Sequence, residues 1–441
     1  SSNSTGGYSV VIDDAHGQMQ EMAGFGHAWT DSTVTVFNEL DADVLDQLLT
    51  ELFGAEGNNM GFMRHSIGSS DLSGENYSYD DTPDNEPDLE LSHFDIGPHG
   101  RAMADMIAKM GEYKSDVTVF GSPWSAPAWM KKNRLFIAPN LNVNGEGSYS
   151  ITNNTFNIRY YESYAQYFAK YIDAFAERGA KISGITMENE PLNPQGGYPC
   201  MYLDAADEGI LVAQAGLGEL MAQRDVGIWA YDHNTDQPSY PQRVVDGAPG
   251  QIQAAAWHCY ESPVANYSKL DDFFYDNPDM LQFMTECSNF EPKAGSINFE
   301  VADNFIRPVQ HHASAAAMWV MGTNPDFGPH TTTGGCAGCK GSIVVHSSRV
   351  YEKTNDYYMI GQFSRFIRRG AINYRVIKGN YGSPLIANQF YIIATQNPDK
   401  SWAVVFMNNL KDANVTLQFT GSSEVWQGLV PNSTVTTWQL P

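Results

Sequence analysis

Eight short, nearly continuous apolar runs recur between residues 24 and 369, and helix-like segments lie between them. Runs of this kind are typical of strands buried on both faces of a parallel sheet. Strand and helix alternating eight times is the pattern of a (β/α)₈ TIM barrel, so we predict this α/β fold for residues 24–369. The predicted strands are residues 24–31, 60–67, 117–124, 183–190, 226–233, 253–260, 281–288 and 315–322.

Two segments show the helical pattern clearly. Residues 41–53 begin with Asp41, a residue type that caps helix N-termini, and carry apolar residues at helical spacing. Residues 160–178 form a long amphipathic pattern that stops before Gly179, a residue type that favours the end of a helix. We therefore predict a helix in each segment.

After residue 369 the pattern changes to strands separated by short turns rich in Asn, Asp, Gly and Pro. The strand-like runs are residues 389–396, 401–409, 415–421 and 434–440. This pattern predicts a side β-sandwich domain over residues 370–441. Residues 1–23 are also strand-like, and we predict that they pair into the same sandwich, which is then built from both chain termini.

Charge excludes some classes of partner. The chain has 51 acidic and 26 basic residues, a net charge of −25, so neither nucleic acid nor an anionic membrane is an expected partner. It contains no run of 18 apolar residues, so no membrane span is predicted.

The opening residues do not form a charged-then-apolar leader, and six Asn-X-Ser/Thr sequons indicate a secretory route. We expect a secreted, extracellular monomer, although an acidic surface also serves solubility alone. The sequons begin at Asn3, Asn76, Asn153, Asn266, Asn414 and Asn432.

Five cysteines form an odd set. Cys336 and Cys339 lie in the Gly-rich segment GGCAGCKG, and we predict a disulfide between them. A zinc site would require a second pair at similar spacing, which the sequence lacks. Cys259 and Cys287 lie inside strand-like runs, and we interpret them as small buried apolar residues. Cys200 is the fifth cysteine.

Two of the predicted strands end in carboxylates. Glu188, Asn189 and Glu190 stand directly before Pro191, and the run at 281–288 contains Glu286. Polar residues at the C-terminal ends of barrel strands build active sites, so we expect these acids to face one cleft. Two carboxyl groups are the minimum equipment for cleaving a glycosidic bond. A separation of roughly 5 Å would give retention of configuration, and roughly 6.5–9.5 Å would give inversion.

The two acids require different protonation states. Glu190 is predicted to be the general acid, with a pKa raised by its surroundings. Glu286 is predicted to be the ionised nucleophile, oriented by Arg64 and by a hydrogen bond from Tyr260. Glu188 would share a strand face with Glu190, so we interpret it as a supporting residue.

Five further residues near strand ends suit sugar binding: Asp71, Trp124, Asn189, His258 and Trp319. The tryptophans offer flat apolar faces, and the Asp and Asn side chains bind hydroxyl groups. Each residue also has a structural alternative. The tryptophans would otherwise fill a core, His258 would be a buried core histidine, and Arg64 would pair with Asp71.

Motifs for other chemistries are absent from the sequence. It has no Gly-X-Ser-X-Gly elbow, no His-Glu-X-X-His zinc motif, no phosphate-binding loop and no dinucleotide fingerprint. His311 and His312 are adjacent, so their side chains diverge and do not suit one metal. We therefore predict no metal and no organic cofactor.

Ten motifs in this order resemble glycoside hydrolase family 30, which includes glucosylceramidases and fungal endo-β-1,6-glucanases. The resemblance covers nearly the whole chain. The motifs are GFGHAWTD at 24, MRHSIGSSDLS at 63, YDDTPD at 79, GSPWSAPAWMK at 121, TMENEP at 186, GYP at 197, AWHCY at 256, TECS at 285, NPDFGP at 324 and IGQFSRFI at 360.

The resemblance implies a barrel with a side β-sandwich and double-displacement hydrolysis with retention. It implies that Glu190 is the acid/base and Glu286 the nucleophile, and it adds Tyr198, in the Gly-Tyr-Pro motif, to the residues around the first sugar. The motif at Ala28 resembles the branch that holds glucosylceramidases and β-1,6-glucanases, whereas the Cys336–Cys339 loop departs from the glucosylceramidase pattern.

The leading expectation is thus a secreted endo-β-1,6-glucanase that acts on a polysaccharide such as pustulan or cell-wall glucan. A glucosylceramidase or another β-glycosidase of the family is the alternative. A carbohydrate-binding protein that has lost catalysis is a remote one, because both acids are present.

Overall fold

Eight parallel strands close into a barrel, as predicted. The computed structural model describes residues 7–139, 153–261, 265–288, 299–331, 334–382 and 389–441. Closure joins the eighth strand to the first, with Ala315 opposite Gly24. In chain order the barrel strands are Gly24–Trp29, Phe62–Ser66, Thr118–Ser122, Gly184–Thr186, Gly227–Asn234, Ala254–His258, Leu281–Glu286 and Ala315–Met318.

Within the described ranges, one or two helices follow each barrel strand. They are Asp31–Asn38, Ala42–Phe53, Gly97–Tyr113, Tyr161–Glu177, Ala205–Ala213, Leu217–Ala222, Ser239–Gly247, Ser268–Asp276, Phe299–Gln310 and Asn355–Ser364. Both predicted helices are confirmed. Asp41 occupies the N-cap position but makes no capping hydrogen bond, because its carboxylate accepts one from Arg349 instead. Gly179 follows the end of its helix with φ +84°, a conformation that favours glycine.

Aromatic side chains fill the barrel near the N-terminal ends of its strands. Phe62, Phe120 and Phe283 surround Trp229, with ring centroids 4.4–5.9 Å from the indole. Gly184 makes room for this cluster, since a Cβ there would lie 2.6 Å from the Trp229 ring. The interior is therefore closed to solvent at this level, as in other packed barrels.

The next inward-facing positions along these strands are polar. Because side chains alternate along a strand, Arg64, Ser122 and Thr186 lie two residues beyond Phe62, Phe120 and Gly184. All three polar side chains are fully buried. A polar layer thus covers the aromatic cluster at the C-terminal ends of the strands.

Two further sheets form the side β-sandwich. One has the strand order Val376–Lys378, Gly7–Ile12, Ala413–Phe419, Val425–Val430. The other has the order Gln18–Glu21, Ile372–Tyr374, Phe390–Gln396, Trp402–Asn408, Thr434–Leu440. Both chain ends contribute, as predicted. Phe390 and Ile392 face the sandwich core, whereas the alternating Tyr391 and Ile393 join the apolar core of the barrel.

Some elements were not predicted. A small sheet of Gly322–Thr323, Ile343–Ser347 and Val350–Lys353 follows the eighth barrel strand. The short sandwich strands Ile372–Tyr374 and Val376–Lys378 lack a clear alternation in the sequence.

The division of the chain at residues 23 and 369 stays a prediction. In the described part of the chain, every helix is too short or too polar to cross a membrane.

Candidate active site

Glu190 and Glu286 lie beside each other in one cleft. Glu286 is the last residue of the seventh strand, and Glu190 follows the fourth strand by four residues, at φ +50°. One carboxylate oxygen of each and one ring nitrogen of His258 all lie within 4.8 Å of one another. A separation of about 5 Å between the carboxyl groups is typical of retaining glycosidases.

Each carboxylate oxygen of Glu286 accepts a hydrogen bond from a different side chain. Arg64 donates to Oε2 and the Tyr260 hydroxyl donates to Oε1 over 2.9 Å. Arg64 is fully buried and also donates to Asn189 over 2.7 Å. Its guanidinium lies 4.7 Å from the centre of the Trp124 ring. Arg64 therefore pairs with the predicted nucleophile and not with Asp71, the alternative that the sequence left open.

Asp232 is a central residue that the sequence analysis missed. Its fully buried carboxylate receives hydrogen bonds from five side chains, at 2.6–2.9 Å. The donors are Arg64, Ser122, Thr186, His258 and Thr285. Burial raises the pKa of Asp232, but the charges of Arg64 and His258 outweigh burial and hold it well below its usual value. Asp232 is thus an ionised anchor beneath both acids.

A local irregularity places Asp232 there. Tyr231 and Asp232 have φ values of +86° and +62°, and the pairing with the sixth strand shifts by one residue at this point. Such bulges redirect a side chain at the rim of a barrel. The sequence signal was present, because an apolar run ends in Asp-His-Asn, but the run was interpreted only as a strand.

His258 connects Asp232 to Glu190. Its Nε2 lies 2.9 Å from Asp232 Oδ1, and its Nδ1 lies 3.2 Å from Glu190 Oε1. The ionised Asp232 fixes a proton on Nε2, so Nδ1 either accepts a proton from a neutral Glu190 or donates one to an ionised Glu190. In both arrangements the Glu190–His258 pair holds one mobile proton.

The pKa directions differ from those predicted for the two acids. Burial would raise the pKa of Glu190, but the hydrogen bond from His258 and the nearby histidine charges outweigh burial and lower it to about 2. Burial lowers the pKa of His258, but the charges of Glu286 and Asp232 raise it to about 9. The pKa of Glu286 is raised, chiefly by burial, despite Arg64 and His258. The predicted raised pKa of Glu190 is wrong for this arrangement, because the hydrogen bond and charge of His258 favour the ionised form of Glu190.

The cleft has a volume of about 710 Å³ and brings all ten predicted site residues together. Arg64 and His258 lie beneath it, in hydrogen-bond contact with the acids. The other eight line it directly: Asp71, Trp124, Asn189, Glu190, Tyr198, Tyr260, Glu286 and Trp319. Residues that were not predicted also line it, among them Asn193, Gln195, His233, Asp236 and Gln237.

Three of the predicted sugar-binding residues have specific surroundings. Trp124 and Trp319 lie against each other, with ring centroids 5.2 Å apart and planes inclined by 37°. Both are largely buried, so only part of each ring faces the cleft. Asp71 Oδ1 has no hydrogen-bond partner among the described residues. Burial, followed by the charge of Glu286, raises the pKa of Asp71 well above its usual value.

Glu188 does not share a face with Glu190. The fourth strand ends at Thr186, so the two-residue alternation no longer applies at Glu188. Its side chain is fully buried, and its oxygens have no hydrogen-bond partner among the described residues. Burial raises its pKa well above the usual value, although Lys131 lowers it. Glu188 is therefore a buried acid outside the cleft lining, and burial favours its protonated form.

Two cysteine pairs border the site. The disulfide between Cys336 and Cys339 is confirmed, and both residues line the cleft. The interpretation of Cys259 and Cys287 as unpaired residues is wrong, since the structure joins them in a second disulfide. They follow neighbouring parallel strands, which brings their Cα atoms to 5.5 Å. This bond links the chain next to His258 and Tyr260 with the chain next to Glu286.

Two groups of side chains in the described ranges have the spacing of metal ligands. One is Asp71 with Cys336 and Cys339, whose sulfurs are bonded to each other. The other is Glu190, His258 and Glu286. Arg64 already binds Glu286 there, and its fixed positive charge disfavours a cation.

The fold agrees with comparisons to known proteins. The family model for the TIM-barrel domain of glycosyl hydrolase family 30 matches residues 22–367. The chain is 41% identical to an endo-1,6-β-D-glucanase of Aspergillus fumigatus, over 98% of this chain and 88% of that protein. It is also 41% identical to an endo-1,6-β-D-glucanase of Trichoderma harzianum, over 98% and 87% of the two chains.

A solved endo-β1,6-glucanase shares the architecture. It superposes with a TM-score of 0.82 at 25% identity, over 98% of this chain and 93% of that chain. These matches place the protein among the TIM-barrel glycoside hydrolases. The chain belongs to glycosyl hydrolase family 30.

Proposed function

We propose that this protein is a retaining endo-β-1,6-glucanase that hydrolyses β-1,6-glucan by double displacement. The observation that carries the proposal is the distance of at most 4.8 Å between oxygens of Glu190 and Glu286 in one cleft. The 41% identity to two proteins named as endo-1,6-β-D-glucanases supports the choice of linkage.

Glu286 acts as the nucleophile in the first step. Its carboxylate forms a bond to the anomeric carbon while the bond to the glycosidic oxygen breaks, and Glu190 donates a proton to that oxygen. In the second step Glu190 accepts a proton from water, and the water oxygen displaces Glu286 from the anomeric carbon. Arg64 and Tyr260 orient the nucleophile through the hydrogen bonds described above.

The proton for the first step comes from the Glu190–His258 pair. His258 Nδ1 is the resting position, and Glu190 Oε1 lies 3.2 Å away. As the leaving oxygen becomes basic, the proton moves from His258 to Glu190 and on to that oxygen. Asp232 compensates the charge on His258 before transfer and keeps its ring in place.

Two alternatives from the sequence fit the structure less well. Glycolipid cleavage favours an exposed apolar surface beside the cleft. Within the described residues, none of the large apolar side chains that are strongly exposed lines the cleft. A binding protein without catalysis would not need both acids beside orienting donors.

The proposal is tested by following products over time from pustulan, laminarin, xylan and glucosylceramide. We expect rapid release of short β-1,6-linked oligosaccharides from pustulan, with the β-anomer formed first in the NMR spectrum. Glucose as the sole early product would contradict endo action, and an α-anomer formed first would contradict retention. Preferred cleavage of glucosylceramide would replace the glucanase assignment, and binding without any new reducing ends would replace hydrolysis.

We also infer that the protein acts outside the cell as a monomer. The two disulfides suit an oxidising compartment. Of the six sequon asparagines, Asn3 lies outside the described residues and the other five are exposed. Exposed sequons are what N-glycosylation requires.

Replacing Asp232 by asparagine is expected to lower kcat/KM about 10²-fold, because small displacements of catalytic groups have effects of this size. It is also expected to shift the pH profile. The charge of Asp232 helps to raise the pKa of His258 to about 9, so its removal lets the Glu190–His258 pair lose its proton at lower pH. The alkaline limb of kcat/KM should therefore move to lower pH.

Asp236→Asn is the matched control, because Asp236 lines the cleft four residues later and, within the described residues, forms no ion pair with Arg64 or His258. Its alkaline limb should stay in place. The limb position does not depend on the fraction of folded enzyme, so a folding defect in Asp232→Asn does not mimic the shift. An unchanged limb in Asp232→Asn would refute its effect on the proton-holding pair.

A further inference from the structure

A second groove, of about 740 Å³, lies between the barrel and the sandwich. Its wall includes Gln20, Phe274, Tyr275, His312, Ser314 and Asn373, and we call it the junction groove. Ser314 directly precedes the eighth barrel strand, whereas Glu286 ends the seventh. Because the barrel strands are parallel, the junction groove lies at the opposite end of the barrel from the cleft.

The wall contains polar groups that lack partners. Ser314 and Asn373 are 1% and 2% exposed, yet Ser314 Oγ and Asn373 Oδ1 have no hydrogen-bond partner among the described residues. The Asn373 amide is oriented by its Nδ2, which donates to the Val309 carbonyl over 3.1 Å. His312 Nδ1 is also unpaired within the described part of the chain. Buried polar atoms are normally paired, so three unpaired ones on residues that line the same groove favour a hydroxyl-bearing ligand there.

Aromatic groups stand beside these atoms. Tyr275 is 74% exposed, which is unusual for so large a ring. Phe274 stacks on the His312 ring, with centroids 3.8 Å apart and planes inclined by 4°. Flat apolar rings next to hydroxyl acceptors match the two faces of a sugar, its C–H surface and its hydroxyl edge.

Two charged groups at this groove, one acid and one base, are paired within the protein. Asp271 binds His311 at 2.7 Å, and Arg375 binds Asp13 at 2.7 Å. A phosphate or carboxylate ligand would need an unpaired cation, and the arginine on this wall is already occupied. The groove therefore favours a neutral polyhydroxyl ligand over an anionic one.

We propose that the junction groove is a second, non-catalytic binding site for a β-1,6-glucan segment. The proposal rests on the proposed function, because that function supplies the neutral glucan. A site at the far end of the barrel does not feed the cleft directly. It holds the enzyme on insoluble glucan while the cleft cuts neighbouring chains, which raises the effective substrate concentration.

The test titrates full-length protein with a β-1,6-linked gluco-oligosaccharide by calorimetry, in a Glu286→Gln background that prevents hydrolysis. We expect two binding sites, and one site after Tyr275→Ala is added. Tyr358→Ala is the matched control, since Tyr358 is 59% exposed on the helix Asn355–Ser364, outside both grooves. It should keep two sites. Ser314→Ala removes an unpaired hydroxyl and should weaken the second site with little change in thermal stability.

A parallel assay uses otherwise unmodified enzyme. Tyr275→Ala should hydrolyse soluble β-1,6-glucan at the normal rate but lose at least about 5-fold in retention on insoluble glucan, the kind of loss expected when a second attachment is removed. A single site in the Glu286→Gln protein, or equal retention of Tyr275→Ala and Tyr358→Ala, would overturn the junction-groove proposal alone. Failure of the unmodified enzyme to cut soluble glucan would instead overturn the proposed function.

Discussion

Glu286→Gln is expected to lower kcat/KM on β-1,6-glucan at least about 10⁴-fold, the scale seen when a covalent nucleophile is removed. The amide has nearly the same shape but cannot form the glycosyl ester. The fold should persist, because Arg64 keeps its contacts with Asp232 and Asn189. Thermal unfolding and circular dichroism verify this, and hydrolysis of pustulan gives the rate.

A chemical rescue identifies the role more directly. In Glu286→Ala, azide can occupy the space of the lost carboxylate and attack the anomeric carbon from the same side. Glu190 still protonates the leaving group, so the expected product is the α-glucosyl azide. A β-glucosyl azide, or a variant with near wild-type hydrolysis, would assign the nucleophile to another residue.

Glu190→Ala is expected to reduce glucan hydrolysis by about 10²–10⁴-fold, the usual contribution of a positioned general acid. The loss should depend on the leaving group. A dinitrophenyl β-glucoside leaves without protonation, so its first step should stay fast and the glycosyl-enzyme should accumulate. Azide should then release the β-glucosyl azide, the opposite anomer to that expected from Glu286→Ala.

Glu188→Gln is a stringent control for this experiment. Glu188 lies two residues from Glu190 and is fully buried, and burial raises its pKa and favours the protonated form, which the amide resembles in shape and charge. We expect nearly normal rates on both substrates. Equal losses on pustulan and the activated glucoside in Glu190→Ala would indicate damage to the site in place of a lost acid.

The contacts of Asp232 explain why the two acids depend on one another. Asp232 binds Arg64, which orients Glu286, and it also binds His258, which contacts Glu190. Removal of one negative charge therefore alters the surroundings of both carboxyls through separate hydrogen bonds. A change at Asp232 should thus affect both chemical steps, which is why its pH profile is more informative than its rate alone.

Much of the architecture followed from local patterns. Buried parallel strands require continuous apolar runs, and outer helices require one apolar face, so the eight-fold alternation predicted the barrel before any contact was known. The acids at residues 190 and 286 were recognisable because each follows such a run. The short strand Ile372–Tyr374 lacked a comparable pattern and was missed for that reason.

Other features arise only when distant segments meet. Asp232 gains its partners through a bulge in the fifth strand, and the Cys259–Cys287 bond depends on the pairing of the sixth and seventh strands. The pKa values of Glu190 and His258 depend on charged groups that lie on, or directly after, the fourth, fifth, sixth and seventh barrel strands. The sequence by itself determined which residues are apolar, which are acidic and where strands end, because these properties are local. The tertiary structure decided which side chains touch and where the proton resides, because hydrogen bonds and electrostatic forces act through space between residues far apart in the chain.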